Sequence, residues 1–368
     1  MKFETYTLGE LVSIRYGKDQ KKVMSDSGTV PIYGTGGLMG YATEALYDKP
    51  SVLIGRKGTI EKIRYVNHPF WTVDTLFYTV VNEQFVIPQF LYYTMLMIDL
   101  LQYNEGTTIP SLRTETLNRI ELKIPDLNNQ TKILKYLSAL DDKIELNNKI
   151  NENLEQQAQA IFKSWFVDYE PFGGVMPDDW KIGTISDICR YSKDKVNIED
   201  LTLDTYYSTE NMQPNRQGAV QATALPTIKQ TTACQKGDVL VSNIRPYFKK
   251  ILYCFSECGC STDVLCFVPN ITEFSAYLYC TLYSDKFFDY MVAGAKGTKM
   301  PRGDKQQIMM YPICIPSTEY ISKFNQAISP MLETVYNNRN EVKELAYLRD
   351  TLLPKLMNGE IDVTKIKI

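Results

Sequence analysis

The chain has 368 residues, 44% hydrophobic and 12% aromatic, which is enough to bury two ordinary cores and too apolar for a disordered chain. Its formal net charge of -3 falls in residues 126–170, with 5 basic and 8 acidic side chains, whereas residues 1–125 hold 13 of each and residues 171–316 hold 15 of each, so no basic nucleic-acid-binding tail exists. Any phosphate neutralisation must come from local patches or from partners, and weak DNA binding by the isolated chain is expected. Met1-Lys2-Phe3-Glu4-Thr5 is not an apolar leader and no apolar run reaches about 18 residues, so neither secretion nor membrane insertion is expected and the expected location is cytoplasmic.

In chain order, Leu8-Gly9-Glu10-Leu11 and Arg15-Tyr16-Gly17-Lys18 open a first unit. Tyr33-Gly34-Thr35-Gly36-Gly37-Leu38-Met39-Gly40-Tyr41 is glycine-dense and reads as a loop that brings backbone close to a ligand. Strands are predicted over 51–54, 62–66, 76–81 and 120–124, and a more helical stretch over 89–96, so the unit is mixed α+β. A long helix is predicted over 127–165, roughly 58 Å at 1.5 Å per residue. Its apolar seam runs through Ile133, Leu137, Leu140, Ile144, Asn147, Leu154, Ala158, Ile161 and Trp165.

The second half repeats the first. Asp48-Lys49-Pro50-Ser51-Val52-Leu53-Ile54 returns as Gln235-Lys236-Gly237-Asp238-Val239-Leu240-Val241, and Gly106-Thr107-Thr108-Ile109-Pro110 as Gly297-Thr298-Lys299-Met300-Pro301. Pro125 and Pro316 are 191 residues apart (316 − 125), and the pairs Asn147-Asn148 and Asn337-Asn338 are 190 apart (337 − 147). The offset is smaller at the start of the units, where Leu8 to Leu11 matches Ile182 to Ile185, so the second unit carries extra residues between about 194 and 235, read as diverged loops. The stretch 273–289 holds the place of 89–96. A second seam follows at Ile321, Phe324, Ile328, Met331, Val335, Asn338, Val342, Leu345, Arg349, Leu352 and Leu356, five heptads long.

These elements predict an α+β protein of two tandem mixed domains separated by two long antiparallel coiled-coil helices, with a pseudo-twofold internal repeat. The expected boundaries are 1–125 and 169–316 for the two domains, and 126–168 and 317–368 for the helices. Ile144, Asn147, Leu154, Ile161, Trp165, Val335, Asn338, Leu345 and Leu352 are expected at the helix or partner interface. Asn147 and Asn338 either pair across the seam, fixing register, or face solvent at its edge. The aromatic run 161–167 exceeds what one seam needs and serves either a partner helix or the packing of its own domain.

Catalytic equipment is missing from the pattern. There is no G-x-x-x-x-G-K-[ST] loop, no Asn-Pro-Pro-Tyr or Asp-Pro-Pro-Tyr segment, and His68 is the only histidine. All eight cysteines fall between 189 and 314. Cys254, Cys258 and Cys260 are close, but without a C-x-x-C pair reduced core thiols on strands are expected rather than zinc. Pro177-Asp178-Asp179-Trp180-Lys181 reads as an acidic linker. The chain reads as a binder with no metal and no cofactor of its own, and duplex DNA suits its twofold character. Gly55-Arg56-Lys57-Gly58-Thr59 offers two cations and a hydroxyl on a turn, and Ser242 to Lys250 carries Asn, Arg, Tyr and two Lys in the equivalent place. Candidate DNA contacts are Lys18, Tyr33, Thr35, Arg56, Lys57, Thr59 and Arg113 in one half, and Asn243, Arg245, Tyr247, Lys249, Lys296, Lys299 and Arg302 in the other. The competing reading for the turns is a solvated hairpin tip.

Together, P-I-Y-G-T-G-G at 31–37, I-G-R-K-G-T-I at 54–60, S-N-I-R-P-Y-F at 242–248, the paired G-T-x-x-P strings, Leu137 to Ile144 and Asn358 to Asp362 resemble the specificity subunit of type I restriction-modification systems over essentially the whole chain. The resemblance implies that each domain reads one half of a bipartite DNA site from the major groove and that the helices act as a ruler. It also implies docking of two methyltransferase subunits, which bind S-adenosylmethionine, and of endonuclease subunits, which use ATP and Mg. The family's Pro-Glu-Gln at each helix start is replaced by Asn129-Gln130 and Thr318-Glu319, which leaves the start points open. The alternative class is an autonomous nuclease or transferase acting on nucleic acid.

Overall fold

The computed structural model describes residues 1–364, so the last four residues of the predicted C-terminal helix segment, 365–368, lie outside the described residues. The chain divides into two compact units. Unit 1 is Met1–Glu145 with the chain from Val342 onward, and unit 2 is Leu146–Glu341.

Unit 1 runs β1 (Phe3–Thr7), α1 (Leu8–Leu11), β2 (Val12–Tyr16), β3 (Val30–Gly34), β4 (Gly37–Ala42), β5 (Ser51–Gly55), β6 (Ile63–Val66), β7 (Trp71–Thr72), β8 (Leu76–Val81), α2 (Pro88–Leu96), α3 (Thr114–Asn118), β9 (Glu121–Pro125) and the first half of α4 (Leu127–Phe166). A four-stranded sheet has the order β2-β8-β5-β6, a three-stranded one β4-β3-β7, and β1 pairs antiparallel with β9. Central β5 is buried along its whole length. Where its ladder with β8 begins, the Val52 amide donates to Thr79 Oγ1 at 2.9 Å and Ser51 Oγ donates to the Thr79 carbonyl at 2.7 Å, so side chains complete what the backbone leaves open. Val52, Ile54, Phe77, Phe90 and Tyr93 build the core, joined by Ile133 and Leu137 of α4 and by Leu353 and Leu356 from the other long helix of the chain.

The glycine-dense segment is a hairpin, not the loop its composition suggests. β3 and β4 pair Tyr33 with Leu38 and Gly34 with Gly37 around a two-residue turn, Thr35-Gly36. Glycines replace the alternating side chains that announce a strand, and Gly37 and Gly40 take φ of +125° and +157°, which only glycine adopts without strain. The first long helix begins at Leu127, where buried Gln130 donates to the carbonyls of Phe85 and Pro125 and accepts from the Ile87 amide, each at 2.8 Å. Its counterpart 191 positions on is the fully buried Ile321.

Unit 2 runs β10 (Lys181–Thr184), α5 (Ile185–Ile188), β11 (Cys189–Tyr191), β12 (Lys195–Asn197), β13 (Tyr206–Tyr207), β14 (Gln230–Cys234), β15 (Val239–Ser242), β16 (Ile251–Tyr253), β17 (Cys258–Cys260), β18 (Val264–Pro269), α6 (Ser275–Tyr283), α7 (Asp285–Ala293), α8 (Lys305–Met309), β19 (Pro312–Ile315) and most of α9 (Thr318–Met357). Its sheet β11-β18-β15-β16 repeats the strand order of unit 1, and β10 pairs with β19 as β1 does with β9. The residues read as diverged loops supply β12, β13 and β14 of a second sheet, β12-β14-β17-β13. At three and two residues, β12 and β13 are too short for alternation to reveal. The stretch 273–289 breaks at Ser284, whose hydroxyl accepts from the Phe287 amide and starts α7.

All eight cysteines are buried and free. Six lie on strands, whereas Cys254 is in a loop and Cys280 on α6. Cys234, Cys254, Cys258, Cys260 and Cys266 share a cluster with Met212, Leu240 and Val264, and among the described residues no group of three or more His, Cys, Asp or Glu is arranged to hold a metal ion. The larger core is aromatic: Phe166 lies 4.8 Å from Tyr277, 4.9 Å from Phe324 and 5.6 Å from Trp180, ring centre to ring centre. The 161–167 run thus packs its own unit. Phe162 and Phe166 are the buried positions, and the expected Ile161 and Trp165 are only half-buried at the margin of that core.

The long helices are apolar at their outer ends and polar between. In unit 2, Ile321, Phe324, Ile328, Leu332 and Val335 are buried. Beyond them Asn338 Nδ2 donates to Asn151 Oδ1 at 2.9 Å, Arg339 donates to Glu155 Oε1 at 2.7 Å, and Asn147 Nδ2 donates to Glu341 Oε2 at 2.7 Å. In unit 1, Arg349 donates to Asp141 Oδ1 at 2.8 Å, and Tyr93 donates to the other carboxylate oxygen. In unit 2, Asn147 meets Glu341, Asn151 meets Asn338 and Phe166 meets Phe324, rising numbers against falling ones, so the pairing there is antiparallel. The pairing of Asn147 with Asn338 is not what forms: each crosses to a different residue, because equal heptad letters do not face each other in antiparallel helices. Ile144, Leu154, Leu345 and Leu352 are half-buried, so the five-heptad apolar seam is interrupted.

Candidate nucleic-acid interface

In unit 1 the turn after β5 is fastened to its surroundings by backbone. The Arg56 amide donates to Thr75 O at 2.8 Å, Gly58 to Pro110 O at 2.9 Å, and Leu112 to Arg56 O at 2.9 Å. The G-T-x-x-P string therefore ends on the carbonyl that receives the turn. Gly106 is required there because a Cβ would stand 1.9 Å from the Ile109 carbonyl oxygen. Arg56 Nε donates to Asp74 O at 2.7 Å, its guanidinium lies 3.7 Å from the Asp74 carboxylate, and it sits 5.6 Å from the ring centre of exposed Tyr16. Thr35, at the hairpin turn, reaches within 3.8 Å of where a Gly58 side chain would start.

Tyr33, Thr35, Arg56, Lys57 and Thr59 are thus brought together. Arg113 joins them immediately after Leu112, paired with Glu105 at 3.1 Å. Lys18 is exposed beside β7, its amide donating to Thr72 O. Sequence reasoning did not single out Arg64, stacked 5.2 Å from the Tyr33 ring centre, or His68, whose Nε2 is 3.3 Å from the Tyr33 hydroxyl. The signal lay only in the pairing of β3 with β7, which the sequence does not display.

Unit 2 repeats the arrangement with other side chains. The Arg245 amide donates to Pro301 O at 2.8 Å, as Gly58 does to Pro110 O, and Gly303 donates to Asn243 O at 3.2 Å. Residues Pro246–Phe248 form one 3-10 turn between Arg245 and Lys249, both left-handed at φ 50°. Tyr247 is 49% exposed and Phe248 38%. Asn243, expected at the surface, is 5% exposed with its Oδ1 unpartnered against Gly303, so it shapes the turn and presents no polar edge to solvent.

Most of the cations are already paired: Lys249 with Asp285 at 2.6 Å, Lys296 with Asp304 at 2.6 Å and Arg302 with Asp263 at 3.1 Å. Among the described residues Lys18, Lys57 and Lys299 form no ion pair. Exposed pairs contribute about 0–1 kcal/mol, so a phosphate can displace the carboxylates from the exposed Lys296 and Arg302 at small cost. Arg216, from the inserted residues, was missed. It donates to Asp285 at 2.6 Å, and with Lys249 it holds that carboxyl down to about 2.

The chain matches the family model described as type I restriction modification DNA specificity domain over residues 1–156 and 177–347. Curated relatives include the type I restriction enzyme MjaIX specificity subunit of Methanocaldococcus jannaschii, 24% identical over 87% of this chain and 80% of that protein. The HindI specificity subunit of Haemophilus influenzae is 24% identical over 79% of this chain and 81% of its own. The EcoDI specificity subunit of Escherichia coli is 21% identical over 98% and 88%. Among solved structures, the type I restriction-modification S subunit from M. genitalium superposes with a TM-score of 0.65 at 17% identity, covering 97% of this chain and 96% of that one, a likeness of fold.

Proposed function

The chain belongs to the type I restriction-modification DNA specificity family and is a specificity subunit, and from that premise we propose that residues 1–125 and 169–316 each read one half of a bipartite DNA site. The long helices within segments 126–168 and 317–368 set the gap between the halves and dock two methyltransferase subunits; endonuclease subunits join the same assembly. The carrying observation is the repeated tip: Gly58 and Arg245 donate to Pro110 and Pro301 at equivalent places, and the side chains around that shared backbone differ. A common frame with unlike polar tips is what two unlike half-sites require.

Lys57, Lys299 and Lys18 take phosphates. Arg56, Arg245 and Tyr247 stand where base edges are reached, with Tyr33, Thr35, Thr59, Arg113, Lys249, Lys296 and Arg302 around them. No helix among the described residues is long and apolar enough to cross a membrane. S-adenosylmethionine belongs to the methyltransferase partners, and ATP and Mg to the endonuclease, so this chain supplies recognition and places the target.

Deleting the gene should abolish adenine methylation at one bipartite motif in the host methylome, and an unchanged methylome sinks the reading. Within the complex, Arg56→Ala or Arg245→Ala should weaken binding to the cognate site by about 1–3 kcal/mol, as for a bidentate base contact. Equal weakening on every DNA sequence reassigns that arginine to phosphate.

A further inference from the structure

Among the described residues, four of the five non-glycine residues with left-handed backbone lie in one contact of unit 2: Asn215 (φ 53°), Arg216 (φ 64°), Arg245 and Lys249 (both φ 50°). Strain of this kind persists only where surrounding structure over-determines it, and it gathers at functional sites. Here the Asn215 amide donates to Phe248 O at 2.7 Å and the Arg216 amide to Lys249 O at 3.0 Å, so the inserted residues grip the C-terminal side of the 245–249 turn.

The side chain of Arg216 extends the grip inward. Its Nε donates to Tyr283 O at 2.8 Å, its Nη2 donates to Asp285 Oδ1 at 2.6 Å, and its guanidinium lies 4.8 Å from the Tyr283 ring centre. Lys249 Nζ donates to the same Asp285 oxygen at 2.6 Å. On the far side, Arg339 of α9 donates to Arg216 O at 3.0 Å and to Glu155 of α4 at 2.7 Å, and Glu155 also accepts from the Tyr283 hydroxyl at 3.0 Å. Gly218 keeps the path open, since a Cβ there would stand 3.2 Å from the Arg339 guanidinium at a φ of +79°. The first half of the chain has no insertion, and its turn has no such connection.

We infer that Arg216 is a positioning residue for DNA specificity: it ties the 245–249 turn through Asp285 and Arg339 to the long helices, and so aims Tyr247 and Arg245 without touching DNA itself. The inference rests on the reading of that turn as a DNA-contacting element. Neither a basic surface patch nor a plain core role accounts for a guanidinium whose side chain is only 17% exposed and which spends its donors on a main-chain carbonyl and on the carboxylate shared with Lys249.

The test uses the specificity subunit assembled with its methyltransferase subunits, a duplex carrying its mapped methylation site, and two duplexes with one half-site scrambled each. Tyr247→Ala identifies the half read by this turn. Arg216→Met and Asp285→Asn should each reduce discrimination about tenfold at that half, within the range of one base contact, and leave discrimination at the other half unchanged, and Arg216→Lys should keep part of what Arg216→Met loses. Asp285 is largely exposed, so its variant folds even if Arg216→Met does not. Full discrimination in Arg216→Met and Asp285→Asn beside a loss in Tyr247→Ala overturns the inference and leaves the turn's role intact. Full discrimination in Tyr247→Ala overturns the underlying reading, and parallel loss at both halves assigns Arg216 to general stability and also overturns the inference.

Discussion

The turn after β5 and the turn after β15 occupy the same place in a repeated sheet, yet they are held by different means. Arg56 is fixed by adjoining loop backbone, its amide on Thr75 O, its carbonyl on the Leu112 amide and its Nε on the main-chain carbonyl of Asp74. The 245–249 turn is fixed from outside its sheet by inserted residues, a shared carboxylate and a pair of helices. The helix seams differ in parallel: unit 1 buries aliphatic Ile133, Leu137, Leu353 and Leu356, and unit 2 buries Phe162, Phe166 and Phe324. Duplication preserves the hydrogen-bonded frame, while the parts that aim side chains are free to diverge.

The largest expected effect separates the two cores. Phe324→Ala removes a fully buried ring edge-on to Phe166 and Phe162 and should lower the stability of unit 2 by about 3–5 kcal/mol. Denaturant unfolding followed through unit 2 thiols and through amide exchange on β5 of unit 1 should shift only for the former; equal shifts would mean that the units unfold as one.

A smaller effect probes the polar stretch of the seam. Asn151→Leu strands the Asn338 carboxamide and should cost about 1–3 kcal/mol, whereas the double change Asn151→Leu with Asn338→Leu should recover most of it. A double variant no better than the single one would show that register, not satisfaction of one amide, is what the pair provides.

The smallest effect is acid sensitivity. Asp285 lies at about 2 against an ordinary value of 3.8, first because Arg216 and then because Lys249 bonds to it. A depressed carboxylate contributes fully above its unfolded value, and the contribution fades as pH falls from about 4 toward 2. Amide protection at Asn215 and Arg216, corrected for intrinsic exchange, should fade across that window. The Gly58 amide of unit 1, whose turn does not bond to Asp285, should not follow it, and loss of both together would mean global acid unfolding.

The repeated strands and both long helices were legible because buried strands and helical seams impose runs and periods on composition, whereas the antiparallel arrangement followed from the family resemblance. The strand order β2-β8-β5-β6 and its copy were not, since pairing joins residues far apart in sequence. The hairpin at Tyr33 was hidden by glycines, and Asn243 looked like a reader because burial of one amide inside a polar string leaves no trace in the string. Arg216 stood in a segment that the shifting offset had marked as inserted, but nothing local says that its partners are at 285 and 339. The polar middle of the seam was half visible: the asparagines were found, and their partners were not, because antiparallel facing depends on helix rotation.

The cysteines lend the molecule a built-in clock. All eight lie in unit 2, all are buried, and unit 1 has none. A thiol reagent in excess therefore reacts only as fast as that unit opens, with no label to add and no background from the other half. The rate at which native protein consumes the reagent reads the breathing of one recognition unit alone, and its slowing when DNA is added would report how firmly that unit closes on its target.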